Sequence, residues 1–181
     1  KFFPADLKRT NNSRRAVAMS IELWHEATRL VALEGKLLDD RNWDAWIELY
    51  LETAEYWIPC WQDEYRLTDD PSSQVSLIYY ANRQGLEDRV FRLRTERSLA
   101  STPLPRTSHL STITAVDNIE DDALTVFSNW STYSYRLEKQ HVFFGQQTHE
   151  FKKTNSGYRI AKRKIIVAND KIPNVLDIYS V

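Results

Sequence analysis

The apolar residues follow a helical period early in the chain and a strand period late in it. Leu23, Ala27, Leu30 and Leu37 recur at helical spacing, flanked by Trp24, Val31 and Leu38. Residues three and four apart share one face of a helix, so this run predicts a helix over about residues 20–39. Ser20 is placed to cap it, with Glu22 in the first turn, where the helix dipole favours an acid. Asn42 is placed to cap a second, short helix through Trp43, Trp46, Ile47 and Tyr50. Residues 53–61 are aromatic and β-prone, and Pro59 makes the end of that strand an edge or a bend. Asp69-Asp70-Pro71-Ser72-Ser73 reads as a turn cluster. Val75 to Tyr80 reads as a helical turn or two, and Leu86 to Glu96 as a helix. Thr102-Pro103-Leu104-Pro105 interrupts the chain.

From His109 the period changes. Residues 109–116 alternate loosely, and residues 124–135 alternate more clearly. Residues 141–151 carry paired aromatics at 143 and 144. Thr154-Asn155-Ser156-Gly157 is a hairpin turn, and residues 158–168 are its partner strand. Helices first and an antiparallel run of long strands afterwards predict an α+β domain, with a curved sheet wrapped over helices on one side.

With 181 residues, one domain is expected over 20–181, preceded by an arm over 1–19 that includes the basic stretch from Lys8 to Arg15. The net charge of −1 supplies no global field towards nucleic acid or membrane. Lys162-Arg163-Lys164 is too short a run to change that, and reads as a solvated or ion-paired strand. No apolar run approaches the ~18 residues of a membrane span, and no signal peptide is visible at the start. The single cysteine, Cys60, rules out a disulfide framework within the chain and fits a reducing, cytoplasmic setting. The only glycines, at 35, 85, 145 and 157, exclude glycine-rich phosphate loops.

Little catalytic chemistry is visible. His141 and His149 lie ~26 Å apart along a continuous strand, at ~3.3 Å per residue, so they cannot share a metal ion. His25 has Arg29, not a ligand, four positions on, and no Cys-x-x-Cys or His-Glu-x-x-His occurs. No metal site and no catalytic residue is assigned. Cys60, between Pro59 and Trp61, reads as a small buried hydrophobe. Glu34 falls between Leu30 and Leu37 on the apolar stripe, where a charge must be paired or protonated. It reads as half of an ion pair with an arginine, or as an acid/base facing a pocket. His109 can be an interface hydrogen-bonder, a core histidine or a base.

The segment 67–109 is the densest in charge. Arg89, Arg92, Arg94 and Arg97 share one predicted helix with Glu87, Asp88 and Glu96, beside Tyr79 and Tyr80. Arginine, tyrosine and tryptophan are the residues enriched at binding hot spots. A contact surface is expected from Tyr79, Tyr80, Arg83, Glu87, Asp88, Arg89, Arg94, Arg97, Arg106 and His109.

These residues carry a family resemblance. Thr68-Asp-Asp-Pro-Ser-Ser, Ser76-Leu-Ile-Tyr-Tyr-Ala-Asn-Arg83, Gly85-Leu-Glu-Asp-Arg-Val-Phe-Arg92, Thr95-Glu-Arg97 and Arg106-Thr-Ser-His109 follow one another in order. Leu37-Leu-Asp-Asp40, Trp43-Asp-Ala-Trp46 and Val175-Leu-Asp-Ile-Tyr179 fit the same pattern. Over about residues 20–181 the series resembles the small (β) subunit of aromatic-ring-hydroxylating dioxygenases, in the benzoate, toluate and anthranilate branch. The resemblance implies a ketosteroid-isomerase-like (cystatin-like) cone of helices on a curved sheet. It implies a structural, non-catalytic subunit in an assembly of three large and three small subunits. It places the Rieske iron–sulfur cluster and the mononuclear iron in the large subunit, fed from NADH by a reductase, and no cofactor in this chain. Two rival readings use the same fold. One is a free-standing dehydratase or isomerase with Glu34 and His109 in a helix–sheet pocket. The other is a binding module for an apolar small molecule.

Overall fold

α1 (Asp6–Asp39) and α2 (Trp43–Ile47) lead into β1 (Tyr50–Pro59) and β2 (Ser76–Tyr80). α3 (Gln84–Arg94) follows, and then β3 (Arg106–Glu120), β4 (Ala123–Arg136), β5 (Lys139–Thr154) and β6 (Gly157–Val167). A 3-10 turn over Ile178–Ser180 completes the order. This computed structural model describes residues 6–95, 102–120, 122–172 and 175–181. The strands form one six-stranded sheet in the order β2-β1-β6-β5-β4-β3, unclosed, with β2 and β3 as its edges. It is antiparallel except where β1 runs beside β6.

The helical stripe forms as its period requires. Ala27, Leu30, Val31, Glu34 and Leu38 of α1 are buried against the sheet. They meet Leu124, Val126 and Trp130 of β4, Phe143 and Phe151 of β5, and Ile160 and Ile165 of β6 in one core. The helix lies close to β3: a Cβ at Gly35 would stand 2.9 Å from His109 Cβ. The β5–β6 hairpin turns through Asn155 and Ser156, with Thr154 opposite Gly157. Gly157 takes φ 106°, a region open to glycine and strained for other residues.

Three local expectations are corrected. α1 begins at Asp6 and runs through Ser20, so Ser20 does not start it and most of the expected arm is helical. Asn42 stands at the N-cap of α2 but makes no side-chain capping bond. Residues 76–80 form a strand, not a helical turn, because Tyr80 and Ile78 pair with Tyr56 and Ile58 of β1. Tertiary pairing decides a five-residue apolar run that either period can describe. Among the described residues, no helix is long and apolar enough to cross a membrane.

Candidate subunit interface

A helix–sheet cone can hold a pocket between its layers. Here that space is taken by a buried polar network. Glu34 of α1 is 2% exposed, His149 of β5 0% and Arg163 of β6 3%. His149 Nε2 is 2.8 Å from Glu34 Oε2, and Arg163 Nη1 is 3.1 Å from Glu34 Oε1. The Tyr50 hydroxyl donates a short hydrogen bond to Glu34 Oε1. Arg163 Nη2 donates to Gln147 Oε1 at 2.8 Å, and its guanidinium lies 5.6 Å from the centre of the Tyr56 ring.

Burial pushes the Glu34 carboxyl up, but the Arg163 charge, helped by His149, outweighs this and holds it at about 2. Burial pushes the His149 imidazole down, against the pull of Glu34. A neutral His149 donating from Nε2 to an ionised Glu34 satisfies both directions. The tyrosines are pushed up, Tyr50 by burial and then by the Glu34 charge, Tyr56 chiefly by burial.

In the structure Glu34 is paired with Arg163 and His149, and His109 binds elsewhere, with Nδ1 2.6 Å from Asp39 Oδ1. Both residues border one cavity, but its volume is about 10 Å³. That is room for a water molecule, not for an organic substrate. A larger space, about 710 Å³, is an open groove between α1 and β3 lined by Trp24, Thr28, Lys36, Asp39, His109 and Ile113.

The expected contact residues divide into two groups. Some are spent inside the fold. Arg89 clamps Asp177 with both Nε and Nη2, the Nε bond being 2.7 Å. Asp177 also caps the terminal 3-10 turn through the Ile178 N–H. This clamp joins the Gly85–Arg92 motif to the Val175–Tyr179 motif, far apart in sequence. Arg83 bonds Glu87 Oε1 at 2.9 Å and the Tyr50 carbonyl at 3.2 Å. The Tyr80 ring packs 6.2 Å from the Tyr56 ring. Others face outward. Asp88 is exposed and accepts from Gln84, Arg94 reaches Asp44, and Arg106 lies over the Tyr135 ring. Tyr79 is half-buried opposite Trp57. Arg97 lies outside the described residues. β2 and β3 are opposite edges of the sheet, so Tyr79 and Tyr80 are not brought together with Arg106 and His109.

The sequence reasoning missed a second surface. On the sheet face turned away from α1, Leu110, Tyr133, Tyr135 and Phe144 are 55%, 45%, 44% and 49% exposed. Leu110 stands opposite Ser131, which stands opposite Phe144, and Tyr133 stands opposite Val142, so these side chains share one face. The signal available in the sequence was the adjacent Phe143 and Phe144: neighbours in a strand point to opposite faces, so one of two aromatics must point outward.

A helix layer on a curved, unclosed sheet defines a cystatin-like fold. An NTF2-like protein with a cystatin-like fold from Novosphingobium aromaticivorans shares it, with a TM-score of 0.54 at 15% identity over 95% of this chain and 96% of that one. The particular family follows from the sequence. Residues 33–174 match the family described as ring hydroxylating beta subunit, and the chain belongs to it. It is 47% identical over 149 residues to the 2-halobenzoate 1,2-dioxygenase small subunit of Burkholderia cepacia, covering 82% of this chain and 90% of that one. It is 39% identical over 163 residues to the anthranilate 1,2-dioxygenase small subunit of Acinetobacter baylyi, covering 90% and 100%. The crystallised beta subunit of benzoate 1,2-dioxygenase from Burkholderia mallei superposes with a TM-score of 0.72 at 38% identity, covering 85% and 94%. This chain is the small subunit of a ring-hydroxylating dioxygenase, an oxidoreductase of more than one kind of subunit, with a large subunit as partner.

Proposed function

We propose that this chain is the structural small subunit of a cytoplasmic dioxygenase that adds molecular oxygen to a benzoate-like aromatic carboxylate. The relatives at 39–47% identity named above act on halobenzoate and anthranilate, and this supports the substrate class. Three small and three large subunits are the proposed assembly. The Rieske cluster and the mononuclear iron belong in this reading to the large subunit, with electrons from NADH through a reductase. The donors described here do not fit either centre. Cys60 is on the β1 end, His25 on exposed α1, His109 on β3, and His141 and His149 are spaced along β5. No group of three or more His, Cys, Asp or Glu among the described residues is placed to hold a metal ion.

One observation carries the structural role: the interior of the cone is closed by Glu34, His149 and Arg163, while aromatic side chains lie exposed on the outer sheet face. Permanent interfaces of oligomeric enzymes bury more than ~2,000 Å² and are rich in such side chains. The outer face of β3–β5, which includes Arg106, and the exposed charges Asp88 and Arg94 of α3 are the proposed contact surfaces. Co-expression with a ring-hydroxylating dioxygenase large subunit tests the reading. An equimolar complex by native mass spectrometry, with all iron in the larger chain and ring oxygenation of a benzoate, is the expected result. Turnover by this chain alone, or its failure to associate with that partner, would overturn it.

A further inference from the structure

The cavity beside the buried network has a composition of its own. Besides Glu34 and Arg163 it is bordered by His109 of β3 and Thr132 of β4, which face each other directly across the two strands. The His109 side chain is only 7% exposed. Its Nδ1 is engaged by Asp39 on the groove side of the ring. An ionised carboxylate only accepts, so the ring proton sits on Nδ1 and the opposite nitrogen, Nε2, is turned into the fold. His109 Nε2, Thr132 Oγ1 and Arg163 Nε are all buried without a hydrogen-bond partner. Buried polar atoms are almost always satisfied, and these three belong to residues that border one small space. A space of about 10 Å³ is close to the least that holds one water.

We propose that this cavity is a binding site for a single internal water molecule, which donates a hydrogen bond to His109 Nε2 and pairs with the Thr132 hydroxyl. Arg163 supplies a further donor to the water oxygen. The water joins two networks that are otherwise separate. On one side stand Asp39, Thr107 and His109 at the groove, with Thr107 Oγ1 2.8 Å from Asp39 Oδ1. On the other stand Glu34, His149, Arg163 and Gln147 in the core.

The site is independent of how the subunit assembles, and its test does not use activity. A crystal structure of the full chain, at a resolution that orders internal waters, is expected to show one water within hydrogen-bond distance of both His109 Nε2 and Thr132 Oγ1. Thr132→Val is expected to lose this water and Thr132→Ser to keep it. Nitrogen NMR of His109 is expected to report the Nδ1–H tautomer in the parent protein. An empty cavity, a direct bond between His109 and Thr132, or a water that does not reach His109 would overturn the proposal. If Thr132→Val does not fold, the parent density and Thr132→Ser decide it.

Discussion

The inner face of β4–β6 is mostly apolar and the outer face mostly polar, but each carries exceptions of the opposite kind. The inner face, against α1, carries Ser128, Thr132, Gln147, His149 and Arg163, all buried. The outer face carries Phe127, Tyr133, Tyr135 and Phe144, all exposed. The charges inside are tolerated because Glu34 is paired with Arg163 and His149: a buried charge with its partner removed is far more destabilising than the pair itself is stabilising. Apolar groups outside carry no such penalty within one chain, but a contiguous patch of them marks a contact site. The difference teaches that the inner face holds the fold together, while the outer face is the one left for the proposed subunit contact.

Removing Glu34 is the largest way to break this comparison. Glu34→Ala leaves Arg163 buried and unpaired, and is expected to destabilise the chain by about 3–5 kcal/mol in denaturant unfolding. Replacing the set together sharpens it. Glu34→Leu with His149→Leu and Arg163→Met is expected to recover most of that loss, since well-packed apolar groups often match or exceed a buried ion pair.

The outer face is expected to behave in the opposite way. Tyr133→Asp with Phe144→Asp is expected to leave circular dichroism unchanged and to shift unfolding by less than about 0.5 kcal/mol per position. The same double variant is expected to lose the multi-subunit assembly on native mass spectrometry. An intact assembly would show that this patch is not a subunit contact.

Acid acts on the inner face through His149 and Glu34. Burial, with the Arg163 charge and against the pull of Glu34, holds His149 below its ordinary value, so below pH ~6.5 the unfolded chain binds a proton that the folded chain does not. Stability is therefore present above that pH and falls as the pH drops through it. Glu34, held at about 2, adds a second decline between its unfolded value of 4.5 and that value. Thermal melts of His149→Phe are expected to lose the first decline and keep the second. A modest effect is expected at Lys164, whose Nζ is 4.5 Å from the Trp57 ring centre on the outer face. Lys164→Ala is expected to lower stability by about 0.5–1 kcal/mol, the usual size of an exposed cation–π contact.

How much of this was legible depends on the range of the interaction concerned. The α1 stripe and the β5–β6 hairpin were visible because each is local: a period in one case, a Gly157 turn in the other. The oddity of Glu34 was visible too, as a charge on an apolar stripe. Its partner was not, because His149 lies 115 residues away and no local rule selects it. Arg89 looked like a surface residue for the same reason, its partner Asp177 being 88 residues distant. β2 was misread because Ser76–Tyr80 is short and takes its strand form from β1. The aromatic outer face was half visible in Phe143 and Phe144, but which ring faced out required the register.

Asp39 has a role beyond orienting His109. Its Oδ2 accepts the His109 backbone N–H at 3.0 Å, on the side of β3 that has no neighbouring strand. An unpaired strand rim is a template for indiscriminate stacking of one chain on another. A carboxylate seated on the rim withdraws a donor that an incoming strand would need, and meets that strand's carbonyls with a negative charge. A small subunit made ahead of its partner would thus carry its own guard against polymerising through β3 while it waits.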